Sequence, residues 1–360
     1  MNKHYLSSLL AVFALALIAY LGASVGPLQW LFGVFIPYLA VIVFIVGVTR
    51  RVMGWSRSAV PFRIPTTCGQ QKSMPWIKQA KIDNPSTGMG VFIRMLLEIV
   101  TFRSLFRNTR MKLKSGPTAI SYNLEIFLWV GALAFHYAFL TTVVRHFRFF
   151  LEPVPWCLQL LEKADSFFRV EILYDPIQFG LPGIYLSGLL LLAAVTYLLL
   201  RRLFISNVRY ISLASDYFPL FLIMGIAFTG ILMRYFTKVD IVAVKELTMG
   251  LVTLNWSIPE GISPLFFIHL FFVSILLMYF PFSKLMHMGG VFLSPTRNMT
   301  ANTREKRHVN PWNYPVKVHT YEAYEDDFRE KMVEAGLPVE KMPEPQPEEP
   351  EEPTAEEEKE

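Results

Sequence analysis

Residues 126–146 read IFLWVGALAFHYAFLTTVVRH, and residues 262–287 read ISPLFFIHLFFVSILLMYFPFSKLMH. A helix that spans a bilayer needs about 20 apolar residues, because the hydrocarbon core is about 30 Å thick and each residue rises about 1.5 Å. Both stretches meet that requirement. Both also carry two histidines: His136 and His146 in the first, His269 and His287 in the second. Lipid cannot satisfy the ring nitrogens of an imidazole, so a histidine inside a span signals either function or an interhelical hydrogen bond.

Working outward, four more stretches qualify. The six predicted spans are 5–24, 28–48, 126–144, 181–200, 217–233 and 262–282, and none contains Asp, Glu, Lys or Arg. Only 18% of the 360 residues are charged, and these gather in blocks between the spans. The composition predicts an all-α, polytopic transmembrane bundle rather than a soluble domain. The segments are then a first span (1–25), a second (26–50), a basic loop (51–122), a four-helix region carrying the histidines (123–290), a docking tail (291–341) and an acidic tail (342–360). The acidic tail holds nine carboxylates among prolines and is expected to be disordered. Residues 1–22 also suit a signal peptide, but the apolar run is long for one, so retention as a span is expected.

Orientation follows from the basic residues. Between Arg50 and Tyr122 lie thirteen Lys or Arg against Asp83 and Glu98 alone. The positive-inside rule puts this loop and both termini on the cytoplasmic side of the inner membrane. Within the loop, residues 88–108 have amphipathic spacing. They suit a helix on the membrane surface or against a partner, and equally one packed beneath the bundle. Residues 321–336 suit a short amphipathic helix.

Two cysteines, Cys68 and Cys157, cannot build a zinc or iron–sulfur site, and no CxxCH is present for covalent haem. The four histidines can hold two b-type haems, each haem needing one neutral imidazole on either side of its iron. Spans three and six run antiparallel, which pairs His136 with His287 and His146 with His269. The crossed pairing would put partners at opposite depths. The spacing is uneven: ten residues on one helix, eighteen on the other. Arg145 and Arg148 are candidate partners for haem propionates on the outer side, and Arg201, Arg202 and Lys284 on the inner. His4, His308 and His319 lie in soluble or terminal segments and need no special role.

Two histidines ten apart on one helix and two eighteen apart on a later one resemble the gamma (cytochrome b) subunit family of respiratory nitrate reductase. Six spans rather than five, Gly289–Gly290 after the last histidine, then Ser294-Pro295-Thr296-Arg297-Asn298 and the long basic loop resemble one branch. That branch contains the membrane cytochromes of the Dsr complex of sulfate reducers and of membrane-bound heterodisulfide reductase. The resemblance implies two haems b and menaquinone as substrate. It also implies a cytoplasmic iron–sulfur partner like the catalytic subunit of heterodisulfide reductase, with other membrane and outer-face cytochrome subunits in the complex. On it, His146 and His269 hold the distal haem, beside which the quinol site lies, with Lys163 an approximate counterpart of a family lysine. His136 and His287 hold the proximal haem.

The chain is thus expected to be an electron-transfer subunit of a quinol-linked oxidoreductase, without a catalytic side chain of its own or a nucleic-acid partner. Nitrate reductase is the alternative electron sink. A proton-relay transporter is the rival from another class, but no span carries a carboxylate and no paired Gly/Pro break occurs.

Overall fold

The computed structural model of the chain describes residues 3–58, 60, 62–64, 66, 69–113, 120–167, 170–174, 177–181, 183–303 and 319–342. Among these residues six helices are long and apolar enough to cross a membrane: His4–Ala23, Gly26–Ser56, Ile126–Phe149, Leu186–Phe204, Ala214–Thr237 and Pro264–Phe282. They are numbered here as spans one to six. The fold is the all-α polytopic bundle that the sequence predicts. The fourth span starts at Leu186 rather than residue 181. Leu181 instead closes the strand Ile177–Leu181, and Ile184–Tyr185 form another strand. The sequence between them holds a helix-breaking Pro182-Gly183 pair. Cys68, His308 and the acidic tail from residue 343 lie outside the described residues.

Span one packs on spans five and six, span two on six, span three on four, and four on five. Spans three and six, which carry the histidines, do not pack closely along their lengths. Apolar side chains fill the remaining contacts, with Tyr217, Leu222, Val195 and Phe272 in one cluster and Ala19, Phe32, Leu247 and Phe267 in another. Gly131 lets span three approach span four, since a Cβ there would lie 2.5 Å from the Tyr197 ring. Short antiparallel ribbons join the helices, such as Thr109–Leu113 with Ile120–Leu124.

Span six does not run on to His287. Its α-helix ends at Tyr279, and Phe280–Phe282 and Lys284–Met286 are separate 3₁₀ turns before the short helix His287–Gly290. Pro281 is the cause, because it has no N–H to give back to the carbonyl four residues earlier. The break is fastened on three sides. Arg51 Nη1 of span two donates to the Pro281 carbonyl at 3.3 Å. Gly47 leaves room for Pro281, whose Cβ would lie 2.7 Å from any added Cβ. Lys284 pairs at 2.7 Å with Asp216 at the start of span five.

The basic segment contains the helices Gly88–Thr101 and Arg103–Phe106, separated by Phe102 in a left-handed conformation with φ 49°. Met89, Phe92, Leu96 and Ile99 are exposed while Arg94 is buried. The apolar face therefore points outward, contrary to a helix packed under the bundle. Its C-terminal end is tied to span three, with Trp129 Nε1 donating to the Thr101 carbonyl at 2.7 Å and the Tyr137 hydroxyl to that of Val100 at 3.0 Å. Residues beyond His287 return to the same segment, where Arg297 meets Glu98 at 3.3 Å and Ala301 N–H donates to the Pro85 carbonyl.

The described residues 319–342 belong to a second compact unit. It contains the expected helix, at Tyr321–Glu334, capped by Thr320, whose hydroxyl accepts from Ala323 N–H. Glu325 is buried in this unit and accepts from the backbone N–H groups of Glu340 and Lys341. Those two donors, with Arg329, hold its carboxyl below the ordinary range.

Candidate functional site

The four intramembrane and near-membrane histidines come together as two pairs. The rings of His136 and His287 have centroids 5.9 Å apart and planes at 85°. Those of His146 and His269 are 6.4 Å apart and nearly parallel, at 18°. Metal–nitrogen bonds of about 2 Å on each side, plus about 1 Å from nitrogen to ring centre, put two axial imidazoles about 6 Å apart. Both separations would suit one metal held between the paired rings.

The hydrogen bonds sharpen the fit. His136 Nδ1 lies 2.7 Å from the Ala132 carbonyl, His146 Nδ1 2.6 Å from that of Thr142, and His287 Nδ1 2.9 Å from that of Lys284. A carbonyl only accepts, so each of these Nδ1 atoms carries the proton. His269 Nδ1 meets the Thr229 hydroxyl at 2.9 Å, and that hydroxyl already donates to the Gly225 carbonyl at 2.8 Å. Its single hydrogen is spent, so Thr229 accepts from His269 Nδ1–H. In the neutral ring, a proton on Nδ1 leaves the Nε2 lone pair available, the form in which imidazole ligates metal. Among the described residues no group of three or more His, Cys, Asp or Glu could hold a bare ion. Two-nitrogen sites suit an iron whose other positions are filled by a porphyrin.

The pairs differ in surroundings. Phe102 and Phe135 stand edge-on to His136, at 4.9 and 5.1 Å. His287 is exposed on its short helix. The His146 end is charged. Arg145 is buried, pairs with Asp165 at 3.3 Å and lies over the Tyr185 ring at 3.5 Å. Asp165 in turn accepts from Ser187 N–H and Oγ, which satisfies a free N–H at the start of span four. Arg148 pairs with Glu162, which also accepts from the Tyr185 hydroxyl. Burial, then this bond to Glu162, pushes the Tyr185 phenol up. Arg234 lies over the same ring at 4.0 Å, and its buried Nε has no hydrogen-bond partner among the described residues. Among the described residues three guanidiniums thus face two carboxylates, leaving one positive charge for an anion such as a haem propionate.

Arg145 and Arg148, expected as propionate partners, are thus engaged with protein carboxylates, and Arg234 is the one that sequence reasoning passed over. Its position in the π-helical turn Leu232–Thr237 carries no sequence signal. Thr229 was likewise invisible, one small polar residue among apolar ones. At the other end Arg201 pairs with Glu125 at 2.6 Å and Arg202 donates to Ser212.

A cavity of about 370 Å³ opens beside this charged end, lined in part by Arg148, Phe149, Glu152, Gln159, Glu162 and Lys245. Phe149 connects it to the histidines, with its ring 5.9 Å from that of His146. Lys163 is exposed on the helix Trp156–Asp165 and does not line the cavity; Lys245 does, paired with Glu152.

A multi-pass membrane bundle with facing, proton-bearing histidine pairs defines a membrane cytochrome b. Residues 92–303 match the nitrate reductase gamma subunit family, and the chain belongs to it. It is 47% identical over 290 residues to a relative from Archaeoglobus fulgidus described as an Hdr-like menaquinol oxidoreductase cytochrome b-like subunit. That alignment covers 79% of this chain and 83% of the relative. A protein of the same description from Archaeoglobus profundus is 40% identical over 284 residues, covering 77% and 81% of the two chains.

Proposed function

We propose that this chain is the dihaem cytochrome b subunit of a quinol-linked respiratory complex, carrying electrons between menaquinol and an iron–sulfur partner. The observation that carries the reading is the pair of facing imidazole pairs, each ring with Nδ1 committed to a protein acceptor. Bound haem takes up and passes on single electrons, so two haems at different depths join the two faces of the bilayer. His136 and His287 would hold one, His146 and His269 the other. Arg234, with Arg145 and Arg148, supplies positive charge at the second. Phe149 and Lys245 belong to the cavity that would take the quinol head group, whose volume falls in the range of ligand pockets.

The basic segment supports an inner-membrane orientation with both termini and the His136–His287 end on the cytoplasmic side. The outward apolar face of Gly88–Thr101 is then available to a cytoplasmic iron–sulfur protein. The sequence resemblance to the sulfate-reducer branch supports a role in dissimilatory sulfur metabolism alongside other cytochrome subunits. Reduced-minus-oxidised absorption of the purified protein should show a b-type α-band equal to two haems per chain. His136→Ala and His287→Ala should each remove the same haem, and His146→Ala and His269→Ala the other. Absence of the α-band would overturn the reading.

A further inference from the structure

Oxidation of a quinol releases two protons as well as two electrons, and the cavity's lining limits where the protons can go. Arg148 and Lys245 are cations with no acceptor, and Gln159 accepts a hydrogen bond without taking the proton. The Tyr185 phenol is already protonated and donates to Glu162. Glu162 and Glu152 remain. Glu162 Oε1 is fixed by two donors, Arg148 Nη1 and the Tyr185 hydroxyl. Glu162 Oε2 has no hydrogen-bond partner among the described residues. A carboxylate anchored through one oxygen and open at the other is a positioned proton acceptor. Glu152 is the outer of the two, its side chain 59% exposed against 28% for Glu162, and pairs with Lys245 across the cavity.

We infer that Glu162 accepts the proton of the quinol hydroxyl at Oε2 and that Glu152 hands it to solvent. The inference rests on the proposed quinol reading of the cavity. In each half of the reaction one O–H bond of the quinol breaks. Its proton goes to Glu162, and one electron goes to the acceptor held at His146 and His269. Glu162 is emptied through Glu152 and water before the second hydroxyl is deprotonated, so two protons and two electrons leave per quinol. The charged groups facing Glu162 are Arg148 directly, Arg145 and Arg234 across Tyr185, and Glu152 with Lys245 across the cavity.

The test uses the haem-loaded full chain and the variant Glu162→Gln, whose amide oxygen still accepts from Arg148 and Tyr185. Reduction by a soluble menaquinol analogue should slow by about 10²–10⁴-fold. Haem content, the midpoint potential of the His136–His287 haem and reduction by dithionite should stay unchanged. A hydroxyquinoline N-oxide, a quinol analogue, should still bind within a few-fold. A carboxylic-acid carbonyl band should appear in the wild-type infrared difference spectrum on quinol addition and be absent in Glu162→Gln. Glu162→Asp, which keeps the carboxylate, should retain that band. An unchanged rate, or a band that persists in Glu162→Gln, would overturn this inference alone. Wild-type protein reduced by dithionite but not by quinol would overturn the quinol reading and this inference with it.

Discussion

The His146–His269 pair and the His136–His287 pair are built in different ways. The first is made entirely within spans: both rings sit on uninterrupted helix, nearly parallel, and one is fixed by the Thr229 hydroxyl of a neighbouring span. The second joins a helix-borne histidine to one on a four-residue helix beyond a break, exposed and held through Pro281, Lys284 and Gly47. The first pair is carried by two continuous helices. The second depends on tertiary contacts that aim a loop, so it should be the easier to disturb.

The largest expected effect comes from attacking the break. Gly47→Leu forces side-chain atoms into the space of Pro281, and such overpacking costs about 1–3 kcal/mol. Haem content should fall from two to one, with the His146–His269 haem retained; equal loss of both would erase the distinction between the pairs. A smaller effect is expected from Thr229→Val, which leaves His269 Nδ1–H without its acceptor. Partners of this kind are worth about 10–100-fold in metal affinity. Transfer of haem to a soluble apo-globin should accelerate by that factor for the His146–His269 haem only.

The smallest effect concerns the segment that covers His136. Burial works to raise the Asp83 carboxyl but is outweighed by hydrogen bonds from Arg103 and Arg107, which hold it below its ordinary value. A folded value lower than the unfolded one, about 3.9, gives stability that is complete above it and fades as pH falls through it toward the folded value. Hydrogen exchange at Arg103–Phe106 should therefore lose protection as pH falls below about 3.9, and Asp83→Asn should remove that dependence.

Much of this was legible in the sequence. Six spans could be read because apolar runs of this length have no other cheap solution. The four histidines could be read because imidazole in such runs is rare and antiparallel helices match early positions to late ones. The structure brings together the two pairs that this matching suggests. The uneven spacing, ten residues against eighteen, rested on treating residues 262–287 as one straight helix, which would place His269 and His287 about 27 Å apart. The break at Phe280–Met286 removes that premise.

Arg145 and Arg148 show the opposite case. Their charge and position were visible, but their engagement by Asp165 and Glu162 was not, since those carboxylates come from the later helix Trp156–Asp165. Lys163 looked suitable by order along the chain, yet a helix presents neighbouring residues to different sides, and Glu162 faces the cavity while Lys163 faces out.

The sequence by itself determined a membrane bundle and the four histidines, because bilayer thickness and the cost of burying an imidazole act on local composition. Tertiary structure alone decided how His287 reaches His136, that Thr229 meets the His269 Nδ1, and which cations remain free beside His146. Those outcomes depend on side chains far apart in the chain meeting at distances of a few ångströms, and no local pattern encodes them.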